Sequence, residues 1–323
     1  MSPAHRRRPT AAAAALAATL LAGCGGSGDA KGEGGGEPAL GPVAVNPATA
    51  SISLPMDAYT DSDAERERMG DAQRRLTARC MSRYGFSYEQ PAGPATGGAA
   101  SKEDRHQNLY GVVDPAYAAA YGYAPDAGRP RAPRPPVPQL SDSASTVLFG
   151  QRPGDKGKAD PGPASDEEAQ KTDSGLTVGG QQVPAGGCQR EGYRKLYAPS
   201  KDSVDLLFTF GLASEAHTRA QEDSRVGAVL RKWSDCMAKA GYSGVTSPYE
   251  VVEKLGLGSD QGGARAVAVA TKDVACKREV NLVGVWAAAE AAYQKVLAEE
   301  HAETLALYKM QRDARLKLAA SLA

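Results

Sequence analysis

Histidine is scarce in this chain, at 4 of 323 residues. None stands in an H-E-x-x-H or H-x-x-E-H frame, which removes the common helical zinc motifs. The 5 cysteines include no C-x-x-C pair, and no serine is framed by G-x-S-x-G or S-x-x-K as a nucleophile. Gly34-Gly35-Gly36 follows no strand and lacks the Lys-Ser/Thr of a phosphate loop, so no cofactor is implied. Charge of one sign is absent too: Lys plus Arg and Asp plus Glu both number 38. Nucleic-acid binding depends on clustered cations, and this balance argues against such a partner. No apolar run is long enough to cross a bilayer core of roughly 30 Å as a helix. From Ala264 onward proline is absent as well, which removes the main helix breaker from the last part of the chain.

The first residues carry an address. His5-Arg6-Arg7-Arg8 is a cationic start, Ala11 to Leu21 is apolar, and Leu21-Ala22-Gly23-Cys24 places small residues directly before a cysteine. That is the pattern of a lipoprotein signal peptide over residues 1–23, with an ordinary cleaved signal as the alternative. Lipidation of Cys24 would add two acyl chains, which meets the two-chain requirement for stable anchoring. The expected partner is then the membrane, through a diacylglyceryl group on the outer leaflet. Loss of residues 1–23 removes three arginines and no acid, so the mature chain becomes net negative by three. Residues 24–55 are rich in Gly, Ala and Pro and read as the lipidated cysteine and a flexible tether.

The rest, 56–323, reads as one mainly α domain of helical hairpins. Asp61 to Tyr84 has Asp61 or Ser62 as cap, acids first and arginines late, with Met69, Ala72, Leu76 and Cys80 on one face. Asp114-Pro115 opens a short helix that ends at Gly122. Tyr110, Tyr117, Tyr121 and Tyr123 cluster there, either as a stacking platform for a cell-wall glycan or as a small core patch. About 128–187 the composition shifts to Pro, Gly, Ser and Lys, and a disordered insertion is expected apart from a capped turn at Ser141 to Phe149. Ser203 to Ala240 is helical with a restart near Asp223-Ser224, and Ala264 to Val280 returns antiparallel to it. A kink at Asn281 to Gly284 precedes one long C-terminal helix, Val285 to about Ala320, carrying Trp286, Tyr293 and Tyr308. Its last third is charged all round and is expected to project from the core, offering a docking surface for an envelope protein. His301 on this helix, between Glu300 and Glu303, lacks a metal motif and reads as a half-buried histidine. Asp235 with Lys239, and Asp273 with Lys277, are i,i+4 helix ion pairs.

The cysteines repeat in context. Arg79-Cys80-Met81 to Gly85-Phe86 and Asp235-Cys236-Met237 to Gly241-Tyr242 share C-M-x-x-x-G-[FY], and each is followed by C-x-R-E, at Cys188 to Glu191 and Cys276 to Glu279. Export implies an oxidising compartment, and once Cys24 is lipidated an even number remains. Of three pairings, Cys80 with Cys188 and Cys236 with Cys276 preserves the repeat. The longer loop of the first pair changes the unfolded-state entropy by only about 0.9 kcal/mol. A four-cysteine zinc site is the alternative, opposed by the spacing and by oxidation.

Asp223-Ser-Arg-Val226, Lys232-Trp233-Ser-Asp-Cys236-Met237, Asp273-Val-Ala-Cys276 and Asn281-Leu-Val-Gly-Val-Trp286 give the chain a resemblance to exported lipoproteins found widely in actinobacteria, a family without an established activity. The stretch from Tyr110 to Tyr123 resembles theirs too. The resemblance covers the lipobox and most of 60–125 and 186–310; it implies a cell-surface location and supplies no catalytic residues. The expected function is a tethered binding module whose candidate surface is Tyr110, Tyr117, Tyr121, Tyr123, Trp286, Tyr293 and Tyr308. An envelope hydrolase or a structural spacer is the alternative. Peptide mapping without reductant should recover Cys80 joined to Cys188 and Cys236 joined to Cys276; free thiols or a Cys80–Cys236 bridge would overturn this pairing.

Overall fold

A computed structural model describes residues 36–89, 106–125, 139–155 and 162–322. Cys24 and the signal segment lie outside them. The described chain is mainly helical, with one two-stranded hairpin, β1 (Thr177–Val178) and β2 (Gln181–Gln182). No helix among the described residues is long and apolar enough to cross a membrane.

Two helix pairs carry the two disulfides. In the first, α1 (Asp63–Arg83) packs on α5 (Gly187–Tyr197), joined by Cys80–Cys188 with Cα atoms 5.5 Å apart. In the second, α7 (Ser224–Lys239) packs on α9 (Ala264–Glu279), joined by Cys236–Cys276 with Cα atoms 5.7 Å apart. The shared C-M-x-x-x-G-[FY] pattern has one structural meaning in both. Gly85 and Gly241 adopt φ of +79° and +90°, which a side chain would resist. The next amide then turns back: Phe86 N–H donates to Met81 O at 3.2 Å and Tyr242 N–H to Met237 O at 2.9 Å, closing the last turn as a Schellman cap. Met81 and Met237 are fully buried below these caps. The glutamate of each C-x-R-E also lies beside the opposite cysteine sulfur, Glu191 at 3.3 Å from Cys80 and Glu279 at 3.5 Å from Cys236.

Helix starts follow the expected chemistry. Ser62 caps α1, accepting from Glu65 N–H at 3.3 Å while Glu65 returns a bond to the Ser62 amide at 2.7 Å, a capping box. Those hydrogen bonds with Ser62 hold the Glu65 carboxyl below its ordinary range. Asp114 caps α2 (Pro115–Tyr121), Ser141 caps α3 (Asp142–Phe149), and Asp223 ends α6 (Phe208–Glu222) and caps α7. Two further short helices, α4 (Asp166–Ala169) and α8 (Val251–Lys254), complete the middle of the chain.

Four expectations are corrected. Residues 38–55 are no free tether: Leu54 is buried, Leu40 and Ile52 pack on the main core, and Pro38 O accepts from Arg225 at 2.9 Å. Asn281 explains this path. Its amide pairs with the strap backbone like a peptide group, Oδ1 accepting from Asn46 N–H at 2.7 Å and Nδ2 donating to Ala44 O at 3.0 Å. Ala44 O also sits where a Cβ of Gly284 would stand, so the Asn281–Gly284 kink is a seat for residues 44–46. The capped turn expected at Ser141 to Phe149 is present as α3, and outside it the described part of the insertion is folded as well, because Val183, with Leu176 and Val178, joins Ala144, Val147 and Leu148 over the Cys80–Cys188 bond. The long C-terminal helix is divided at His301 into α10 (Leu282–Glu300) and α11 (Ala302–Leu322). Finally, α11 does not project. It packs on α1 and α5, with Ala319 and Leu322 against Met69, Ala72 and Leu196, whereas α10 packs on α6 and α7.

The Asp273–Lys277 pair is more than a helix-surface ion pair. Both residues are buried, with Nζ 2.9 Å from Oδ2. Asp273 also accepts from Trp233 Nε1 at 2.9 Å and Tyr123 Oη at 3.0 Å, and Lys277 donates to Val112 O at 2.7 Å. Burial pushes the Lys277 ammonium down, opposed by the Asp273 charge. Lys277→Met should therefore destabilise the protein in urea by about 3 kcal/mol or more, since it strands a buried carboxylate. Adding Asp273→Asn, which removes the stranded charge, keeps an oxygen for the Trp233 indole and offers its NH2 to Tyr123 Oη, should recover part of that loss; a neutral Lys277→Met would disprove the role of the pair.

A candidate ligand cleft beside a buried carboxylate

Trp286, Glu290 and Gln294 are spaced four apart on α10, which stacks them on one helix face. Glu290 is 2 % exposed in an otherwise alanine-rich turn. An ionised carboxylate there needs donors, and three converge on it. Tyr110 Oη donates to Oε2 at 3.1 Å, His217 Nδ1 lies 2.9 Å from the same oxygen, and Gln294 Nε2 donates to Oε1 at 3.5 Å. Gln294 uses its own oxygen to accept from Met56 N–H at 2.9 Å, which ties the 3-10 turn Pro55–Tyr59 to α10. Burial, and then the Glu290 charge, push the Tyr110 phenol far up, so it keeps its proton and remains a donor.

His217 stands on α6 and lies nearly parallel to Trp286, with centroids 5.6 Å apart and planes at 13°. Its Nε2 faces Tyr249 Oη at 3.0 Å and Gln221 Nε2 at 3.0 Å. Tyr249 also bonds Leu109 O, and burial followed by the Glu290 charge raises its phenol. Tyr110, Tyr249 and Trp286 thus surround one imidazole, and Glu290 fixes its orientation.

This network forms one wall of a cleft of about 580 Å³. The turn at 54–61, the first half of α6, and residues 290, 294 and 308 bound it. Its apolar surface comes from Met56, Leu206 and Phe210, and Phe210 is 70 % exposed. His106 and Asp57 also line it, with His106 Nε2 3.0 Å from Asp57 Oδ2. A wider groove of about 920 Å³ runs on the far side of the same turn, between Ser53, Asp63 and Lys295. It has no buried polar group at its base among the residues named for it, so the smaller cleft is the better candidate. An apolar floor with a few converging polar groups is the usual form of a small-molecule site.

The aromatic residues expected to form a surface divide by position. Tyr110 and Trp286 are fully buried and Tyr308 is 6 % exposed, so these three are interior and the expected surface role is corrected. Tyr123 and Tyr293 are half-buried, Tyr123 bound to Asp273. Tyr117 and Tyr121 remain near solvent, rings 5.2 Å apart, and only Tyr308 of the seven lines the cleft. Sequence reasoning did not single out Glu290, Gln294, Tyr249 or Phe210. The signal for the first two was an acid and an amide on the Trp286 stripe; Tyr249, on a loop before α8, carried none. His301 is half-buried against Phe208, with rings 5.6 Å apart. Among the described residues no group of three or more His, Cys, Asp or Glu side chains is placed to hold a metal ion. No protein-family model, curated protein or solved structure matches this chain.

Proposed function

We propose that this chain is an extracytoplasmic, lipid-anchored binding protein, and that the cleft beside Glu290 takes a small amphipathic ligand. The carrying observation is the exposed Phe210 ring at a cleft that His217, Glu290 and Gln294 of the buried network also line. An apolar part of the ligand would replace water on Phe210, Leu206 and Met56, and its polar end would meet His106 and Asp57. Binding is favoured over hydrolysis by the apolar lining from Met56, Leu206 and Phe210, and by His217, both of whose ring nitrogens already have protein partners. General-base chemistry would fall instead to His106, of which Asp57 engages Nε2.

The neutral apolar dye N-phenyl-1-naphthylamine tests the cleft. Its fluorescence should rise to saturation at one site per chain. Phe210→Asp or Ser214→Trp, both at the lining, should weaken it roughly tenfold or more, the scale of one lost aromatic contact. A linear, unsaturable rise, or affinity unchanged in both variants, would end this reading.

The anchor rests on Leu21-Ala22-Gly23-Cys24 and on the cationic, apolar segment before it. In cells fed an alkynyl fatty acid, the protein should take up label and fractionate with membranes, and Cys24→Ser should lose both properties. Label retained by Cys24→Ser would rule out Cys24 as the acylated residue.

A further inference from the structure

Helix α11 carries a sheltered cation with no anion. Arg315 is 4 % exposed, and among the described residues it forms no ion pair or hydrogen bond, with its Nε buried and unpartnered. Its guanidinium lies over two rings, 5.4 Å from the Tyr308 centroid and 6.0 Å from that of Tyr197. Cation–π contact supports the charge but leaves the planar N–H donors unused. Other sheltered cations here are served differently. Lys277 has Asp273 at 2.9 Å, and Arg312 has Asp61 at 2.5 Å and Glu65 at 2.9 Å. Arg194, also buried and with Nε and Nη1 unpartnered, still donates through Nη2 to Ala185 O at 2.7 Å.

Arg315 also lines a separate cavity of about 180 Å³, together with Tyr197, Ser200 and Ser203. Ser203 Oγ accepts from Ser200 N–H at 3.3 Å, which leaves the hydroxyl hydrogen for another acceptor. Lys195 stands at the rim but is engaged by Glu191 Oε1 at 2.5 Å. Gln311 also lines it, its amide already bonded to Val204 N–H and Asp202 O, and the rest of the wall is apolar, from Leu196, Pro199, Ala314 and Leu318. A fork of N–H donors matches a carboxylate or phosphate. The apolar wall selects between them, because a mono- or dianionic inorganic phosphate gains nothing from it and the hydrocarbon part of a short carboxylate does.

We propose that this cavity binds a small organic carboxylate, its oxygens on the Arg315 guanidinium and its hydrocarbon part against Pro199 and Leu318. The site is distinct from the cleft beside Glu290, although Tyr308 contributes to both surroundings. Butyrate is the probe, and inorganic phosphate at equal ionic strength is the control. Butyrate should raise the thermal midpoint saturably and give saturation-transfer NMR signals from its methyl group. Ala314→Leu, which fills the cavity and keeps Arg315, should weaken binding at least tenfold, as should Arg315→Lys, which keeps charge but loses the fork. Phe210→Asp should leave butyrate binding unchanged. Should Arg315→Lys fail to fold, Ala314→Leu alone decides. An equal response to phosphate, no saturation, or undiminished binding in Ala314→Leu would overturn the assignment.

Discussion

An ionised carboxylate out of contact with water has to have its lone pairs filled by donors that the fold brings to it. Asp273 imposes that requirement at the centre of this protein. Its three donors come from three places: Trp233 on α7, Lys277 one turn along α9, and Tyr123 from the turn after α2. Glu290 imposes it again on α10, through Tyr110, His217 and Gln294. Tyr110 and Tyr123 belong to one short stretch of chain. That stretch is therefore a strap that delivers one phenol to each buried carboxylate, and a tyrosine is suited to this because its ring fills apolar space while its hydroxyl reaches the acid. Burial, followed in each case by the neighbouring acid's charge, pushes both phenols up, so both remain donors.

This accounts for what could and could not be read from sequence. Features set within one turn were legible: Ser62 with Glu65, Asp114 with Pro115, and the glycine stops at Gly85 and Gly241 depend on neighbours a few residues away. The disulfide pairing was legible because two contexts repeated, and repetition carries long-range information that a single motif lacks. Partners distant in sequence were not legible. Asp273 and Lys277 look the same on paper whether the face they share is wet or dry, and only the arrival of Trp233 and Tyr123 distinguishes the two. Composition misled in one direction. Gly and Pro in 38–55 and in the insertion beyond Ser141 to Phe149 suggested chain without a core, yet Asn281 holds the first segment by its backbone, and Val183, Leu176 and Val178 of the second join α3 in covering a disulfide.

The two disulfide units share a cap and differ in what they enclose. Three residues before the cysteine, the first unit has Thr77 and the second Trp233, both fully buried. Beside Thr77 stands Gly192 of α5, where a Cβ would meet the threonine hydroxyl at 2.8 Å; the helices are close and little is enclosed. Trp233 instead fills a broad core with Trp286 and Val229, and holds Asp273 by its indole N–H. The candidate cleft lies on α6 and α10, beside this larger core. The smaller unit serves α11, which leaves α10 at His301 and lies on α1. Division at His301 is what allows one helix to floor the cleft and the next to join the other unit.

Proton accounting around His217 bears on what the cleft can do. With Glu290 ionised, Nδ1 carries a hydrogen and donates to it, which leaves Nε2 as the nitrogen whose state is set by its neighbours. Tyr249 has one hydrogen and two acceptors within reach, Leu109 O and Nε2. If it goes to the carbonyl, the Gln221 amide supplies a hydrogen to Nε2 at 3.0 Å; if it goes to Nε2, the carbonyl is left to other donors. Either way Nε2 is met by the protein before any ligand arrives. An imidazole enclosed in this manner holds a carboxylate and a helix in register, and under the proposed binding role recognition would fall to the apolar side chains of the cleft.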